Sequence, residues 1–388
     1  MGHDYRARLH IPPVPSTMAS QRLIFLDHLR IAALGLLIAY HVGMAYVPWP
    51  WHVKAAVTSA ALEPWMQLLN PWRMSLLFAI SGAVTGLALP QAKPGWLRAR
   101  LWRLGAPLLA GMWLIVPPQA WWQVQAQFGY DGSLAAFMGL YLRGYGGFCD
   151  AAGQCLALPT WNHLWFLPYL MAYTWGLWAL LRRWPATLER TGAWLGQRLG
   201  AVCLLGVPWA ILAALRLLLR PWFDVTHDLL HDPLAHAQYL PAFLAGAVWA
   251  RTPGLWAALD RYSGLALALC LLAWGLSVGW ADQGPIALVR AGYALQQWCG
   301  LLAALGLGHR WLNTPHPRLQ ALSGLVFPVY VLHQTLLIGL LVALRPLHLP
   351  PLIEATAVLL GTLLGALALA EAACRVRWLA PWLGATPR

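Results

Sequence analysis

This sequence predicts an all-α, polytopic membrane protein with about ten transmembrane helices and both termini cytoplasmic. Three observations predict it. Of its 388 residues, 60% are hydrophobic and only 10% are charged, whereas a soluble domain carries roughly 25% charged residues. Apolar runs of the length a helix needs to cross a bilayer recur along the chain. Many of the 25 tryptophans sit near the ends of those runs, where amphipathic rings settle at a membrane interface.

The polar segment 1–22 carries Arg6, Arg8 and Arg22 and reads as a cytoplasmic N-terminal segment. Its first residues, MGHDYR, lack the hydroxyl residue of a myristoylation signal. The run at 23–47 is too long for a signal-peptide core and has no small-x-small site behind it, so it reads as a retained first span. Further spans are expected at 66–89, 101–122, 164–181 and 199–219. The sixth, 236–250, is short; the seventh covers 263–280; the eighth, 286–308, is interrupted by Arg290; the last two cover 321–343 and 352–374. A transmembrane domain thus occupies 23–375, followed by a cytoplasmic tail, 376–388. There is no internal repeat, and the longest loop, 123–162, is too small for a core of its own.

Charge supports this layout. With the N-terminus inside, only Lys54, Arg143, Arg220 and Arg345 of the 26 basic residues fall in outer segments, while most fall in inner ones. The net charge of +13 comes in short clusters between apolar runs. It therefore reads as membrane orientation beside lipid, not as a nucleic-acid surface. Cys203, Cys270, Cys299 and Cys374 fall in spans as packing residues. Cys149 and Cys155 share the long outer loop, and their spacing permits a disulfide there without requiring one.

Ionisable groups inside spans are the candidate chemistry. Arg30 and His41 lie eleven residues apart in the first run, close to three full helical turns, so they share a face about 16 Å apart. Asp27, one turn before Arg30, can pair with it. Arg98, Arg100 and Arg103 begin the third span. They are either a topology signal or a cytoplasmic site for phosphates, to which guanidinium forks are suited. In the second span, Arg73 sits at the outer part and can bind an anionic group or a sugar hydroxyl. Ser81 and Gly82 allow close helix approach. Trp161, Asn162, His163 and Trp165 cluster at the outer mouth of the fourth span, as an interface belt or a carbohydrate platform. The polar loop DVTHDLLHDPLAHAQYL has His227/His231 and Asp228/Asp232 at i,i+4 spacing. No other ligand motif supports a metal there, so none is expected. Asp232 and His236 read instead as acceptor-site groups. His333 lies in mid-span in FPVYVLHQ, one turn from Tyr330; a buried histidine bonded to a neighbouring helix is the default reading there. No Gly-rich phosphate loop or G-x-S-x-G elbow is present.

These residues resemble the acyltransferase-3 family of bacterial membrane enzymes. Arg30 and His41 match its Arg/Lys-x10-His signature in the first helix, and Arg100 and Arg103 its Arg-x-x-Arg element at the third. LFAISG, NHLWFLPYL, HAQYLPAFLAG and FPVYVLHQ look especially like its glucan-modifying branch, and the resemblance covers about 22–375. It implies an inner-membrane O-acyltransferase that moves an acetyl or succinyl group from acyl-CoA, a co-substrate and not a resident cofactor, to an extracytoplasmic sugar or polysaccharide. His41 would be general base or acyl carrier, with Arg30 guiding the donor and Arg98, Arg100 and Arg103 holding its phosphates. Arg73, Asn162, His163, Trp165, Asp232, His236 and His333 would then face the acceptor side. The appended hydrolase-like domain of some relatives is missing from this sequence. The competing readings are a transporter or glycan flippase using the same intramembrane Arg and His, and a non-catalytic scaffold.

Overall fold

Inside a bilayer, backbone polar groups have no water to bond, so a spanning chain closes its hydrogen bonds within helices. The computed structural model of this protein describes residues 23–151, 153–280 and 284–385. Among these the regular structure is helical, apart from one bridge between Cys149 and Cys155. In order, the helices are α1 (Ile24–Tyr46), α2 (Glu63–Ala88), α3 (Trp96–Ala110), α4 (Pro117–Phe128), α5 (Leu134–Leu142), α6 (Phe166–Arg183) and α7 (Thr187–Gly196). There follow α8 (Val207–Leu219), α9 (Pro233–Trp249), α10 (Leu255–Gly279), α11 (Ile286–Trp311), α12 (Pro317–Ser323), α13 (Val326–Leu344) and α14 (Pro351–Arg375).

Seven stretches, those of α1, α2, α6, α8, α10, α13 and α14, are long and apolar enough to cross a membrane. An eighth is added if α3 and α4, bent by 44° at a short break, count as one span. The protein is thus a multi-pass helical membrane protein. The expected sixth and eighth spans exist as helices, α9 and α11, but among the described residues they fall short of that standard. With 17 residues, α9 is short. Polar Gln296 and Gln297 interrupt α11, and both are buried. Gln296 Nε2 donates to the Gln67 carbonyl at 2.8 Å, and Gln297 Nε2 to Ser75 Oγ at 2.9 Å. A helix enclosed by other helices satisfies such groups internally and needs no apolar surface all round. The segment 1–22 and Arg388, which carry part of the charge asymmetry, lie outside the described residues.

The bend between α3 and α4 has a local cause. Gly111–Ile115 forms a π-type turn, and Pro117 and Pro118 follow. Proline lacks an N–H and crowds the preceding turn, so the axis turns there. The bend lays α4 against α13. Elsewhere, small residues bring backbones together: a Cβ on Gly82 would fall on the Phe243 carbonyl oxygen, and one on Gly246 would fall on that of Ala79. This locks α2 to α9, the packing role expected of Gly82. Around this pair, Phe78 packs its ring against Phe166 (4.6 Å between centroids), Tyr239 (5.0 Å) and Tyr173 (5.6 Å).

The long loop closes with a Cys149–Cys155 disulfide. Its buried Phe137, Tyr141 and Phe148 form an apolar cluster jointly with Ala120 and Val124 of α4, so the loop borrows its core from the helix before it. Residues 376–385 do not trail free: Trp382 packs edge-on to Trp102 of α3, 5.7 Å between centroids. The end of α1 is held by Lys54, whose Nζ donates to the carbonyls of Met44 (2.5 Å), Val47 and Trp49 (3.0 Å), as a cation suits a helix C-terminus.

Candidate functional site

Three helices bring three histidines together. His41 lies in the penultimate turn of α1, His163 in the tight turn Asn162–Trp165 that opens α6, and His333 in the second turn of α13. The rings of His41 and His333 stack at 5.2 Å, with Nδ1 of His41 3.0 Å from Nε2 of His333. The His163 ring meets that of His333 edge-on at 5.0 Å. His163 and His333 are buried at 6% and 0% exposure, while His41 is partly accessible.

Partners decide the protons, because each neutral ring has one donor and one acceptor nitrogen. Nδ1 of His333 lies 2.6 Å from the Tyr330 carbonyl, which can only accept, so this nitrogen carries the hydrogen. Nε2 of neutral His333 therefore accepts, and His41 donates to it from Nδ1. The basic lone pair of His41 is left on Nε2, the ring nitrogen that the bond to His333 does not use. Likewise His163 donates from Nε2 to the Val331 carbonyl at 3.0 Å, and Tyr330 donates its hydroxyl to the His163 carbonyl at 2.6 Å.

A polar net braces this group from α4. Gln119 is fully buried. Its Oε1 accepts from Asn162 Nδ2 and from Gln334 Nε2, each at 3.2 Å, and its Nε2 donates to Thr335 Oγ1 at 2.6 Å. Asn162, with φ of 40°, is one of the few non-glycine residues in the left-handed region, where Asn is tolerated best. Sequence reasoning missed Gln119 and Thr335; their signal was a polar residue inside an otherwise apolar run.

The other expected residues occupy different places. Arg73 seats its guanidinium 3.2 Å from the centre of the Tyr40 ring, next to His41 in sequence, and interacts electrostatically with His41. Trp165 stacks on His227 at 4.0 Å and packs on Tyr239. Burial pushes His227 down to about 4, Asp232 opposing and Arg73 reinforcing the shift. Asp232 and His236 are taken up in holding their own loop. Asp232 is fully buried and accepts from the backbone N–H of Thr226 (2.6 Å), His227 (2.8 Å) and Ala235 (2.7 Å) as the cap of α9. His236 Nε2 donates to the Leu229 carbonyl at 2.7 Å, and Tyr173 Oη lies 3.0 Å from its Nδ1. The hydrogen-bonding atoms of both residues thus have partners inside the fold. His231 pairs with Asp228 at 3.0 Å on the exposed loop.

The cationic group gathers at the opposite end of α1. Arg30 donates to Asp27 at 3.1 Å and to the Ser323 carbonyl at 3.3 Å. It lies close enough to Arg100 for the two, with Arg103, to repel one another. Arg98 and Arg103 are exposed; Arg100 is half-buried, with an Nε that meets no partner. One end of α1 thus brings Arg30 beside the arginines of α3, and the other end carries a basic nitrogen. An apolar cavity of about 280 Å³ lined by Cys203, Pro208, Pro241 and Trp298 lies between α8 and α9, away from both.

Compared with known proteins, residues 23–371 match the acyltransferase-3 family model, described as an acyltransferase domain. The chain is similar to glucans biosynthesis protein C of Escherichia coli O81 (strain ED1a), 26% identical over 342 residues covering 84% of this chain and 83% of the relative. The protein of that name from Escherichia coli K12 gives the same figures. The one from Escherichia coli O157:H7 (strain EC4115 / EHEC) is 25% identical over 336 residues, with 84% and 83% covered. No solved structure matches the chain.

Proposed function

The chain belongs to the acyltransferase-3 family, and from that premise we propose that it moves an acyl group, acetyl or succinyl, from cytoplasmic acyl-CoA to a hydroxyl of an extracytoplasmic glycan. The similarity to proteins named for glucan biosynthesis supports a glycan acceptor. The observation that carries the mechanism is the His41–His333 hydrogen bond, which leaves Nε2 of His41 as an accessible base.

In this reading Nε2 of His41 takes the proton of a sugar hydroxyl as its oxygen attacks the thioester carbonyl carbon. The tetrahedral intermediate collapses, the C–S bond breaks, and the departing thiolate recovers the proton from the imidazolium. His333 accepts from Nδ1 throughout and stabilises the charged ring. General-base catalysis of this kind contributes about 10²–10⁴-fold. Arg100 and Arg103, with Arg98 and Arg30, hold the phosphates of the donor at the other end of α1. The pantetheine arm then bridges the roughly 16 Å that eleven helical residues span. His163, Asn162 and Gln119 keep His333 in place. Both termini are cytoplasmic, α9 and α11 complete ten spans, and the enzyme resides in the inner membrane. The Cys149–Cys155 disulfide supports an oxidising side for the long loop.

The test is to supply inverted membrane vesicles with radiolabelled acetyl-CoA or succinyl-CoA and follow label into glycan. His41→Ala, present at wild-type level, is expected to lose at least a hundredfold in transfer. Wild-type transfer by that variant overturns the assignment. Movement of unmodified glycan with no thioester consumed supports a transporter instead.

A further inference from the structure

A cation inside a membrane protein calls for a partner, and an intramembrane ionisable side chain is a functional-site candidate. Arg73 of α2 and Arg216 of α8 are both half-buried, and neither has a carboxylate partner among the described residues. The Nε of each, and Nη1 of Arg216, are buried without a hydrogen-bond acceptor. Arg73 Nη1 donates to neutral Asn70 at 3.1 Å, and Arg73 also bonds the Tyr40 side chain.

Each guanidinium carbon sits over a tyrosine ring, that of Arg73 3.2 Å from the centre of Tyr40 and that of Arg216 3.6 Å from that of Tyr293. Stacking satisfies the face of the group. It leaves the edge, which carries the N–H donors and matches a carboxylate or phosphate in bidentate geometry. Tyr239 links the two arginines. It interacts electrostatically with both of them and with Tyr293, and Tyr293 interacts with Tyr40. Arg290, one turn before Tyr293, adds positive charge beside Arg216. The one carboxylate felt by Tyr239 is Asp232, whose oxygens are already engaged by three backbone N–H groups. On its other side Arg73 interacts with His41, so the linked pair adjoins the histidine group.

We propose that Arg73 and Arg216, stacked on Tyr40 and Tyr293, form a binding site for an oxyanion, carboxylate or phosphate, carried by a substrate of the His41 centre. The anion is either the far end of a dicarboxylic acyl chain or an acidic substituent of the glycan. The proposal rests on the acyl-transfer reading only for which molecule carries the anion.

The first arm needs no catalysis. The full-length protein in lipid nanodiscs is melted with succinate, inorganic phosphate or neutral succinamide. Either anion should raise the melting temperature of the wild type and succinamide should not. Arg216→Gln should abolish the response and Arg216→Lys should keep part of it. A wild type indifferent to both anions overturns the site, which covers the case that Arg216→Gln does not fold. The second arm compares kcat/KM for succinyl and acetyl thioesters on neutral and phosphate-substituted glucan. A loss of about tenfold or more in Arg216→Gln, confined to the succinyl donor, assigns the anion to the acyl chain. The same loss confined to the charged glucan assigns it to the acceptor. No loss, or an equal loss with every pair, overturns the site. Anion binding by a wild type that transfers no acyl group would sink the acyl-transfer reading and leave the site standing.

Discussion

Replacing His333 by Phe tests the histidine pair most directly. The ring is fully buried and nothing places it against a substrate; its work is to accept the Nδ1 hydrogen of His41 at 3.0 Å and so keep the lone pair on Nε2. Phenylalanine fills nearly the same volume but accepts nothing. When His41 becomes an imidazolium in the transition state, that bond is charge-assisted and is worth about 1.5–3 kcal/mol. At 1.36 kcal/mol per decade the loss is roughly 10- to 150-fold in kcat. Because the bond strengthens only as charge develops, KM for donor and acceptor should hardly move. Glutamine, whose amide oxygen reaches the position of Nε2, should restore part of the rate. The assay is single-turnover transfer of labelled acyl groups by purified protein in nanodiscs, with melting curves to show that each variant is folded. A His333→Phe enzyme within about threefold of wild type, or a defect lying wholly in KM, would refute the reasoning.

Three other outcomes follow from the geometry. Arg100→Ala combined with Arg103→Ala should raise the KM for acyl-CoA about tenfold or more with kcat little changed, measured by varying the donor at saturating acceptor; an unchanged KM would leave that cluster a topology signal. Gly82→Ala, whose new methyl would press on the Phe243 carbonyl, should cost about 1–3 kcal/mol of stability, read as a lowered melting temperature, whereas Gly35→Ala, which meets nothing, should be neutral or stabilising. His227, held down to about 4 by burial against Trp165, titrates near 6.5 in the unfolded chain. Its contribution is complete above about pH 6.5 and is lost as pH falls toward 4, by about 2 kcal/mol once the part of the ring that solvent reaches is allowed for. His227→Asn, which also suits the left-handed backbone there (φ 61°), should flatten that part of the stability–pH curve.

What could be read in advance follows from the range of each signal. Apolar runs and their breaks are local, so helices appear near each expected run, 101–122 as the bent pair α3 and α4, and 236–250 and 286–308 as helices that fall short as self-evident spans. The Arg30–His41 relation was legible because both sit on one helix, where residue number converts directly into angle and height. Other assignments depended on what lay opposite. Asp232 and His236 looked available to a ligand, but the fold spends them on the cap and loop before α9. Gln119 drew no notice in the sequence, yet it is the hub of the polar net.

A helical membrane protein, the two ends of α1 that carry charge and base, and the candidate cations were all legible from residue order, because composition and periodicity act within a single element. Packing alone set the meeting of His41 with His333 across 292 residues of chain, the nitrogen of His41 that is left basic, and the link of Arg73 and Arg216 through Tyr239. The reason is that a proton's position and a guanidinium's free edge are set by whatever packs against them, and here those neighbours come from helices far apart in the sequence.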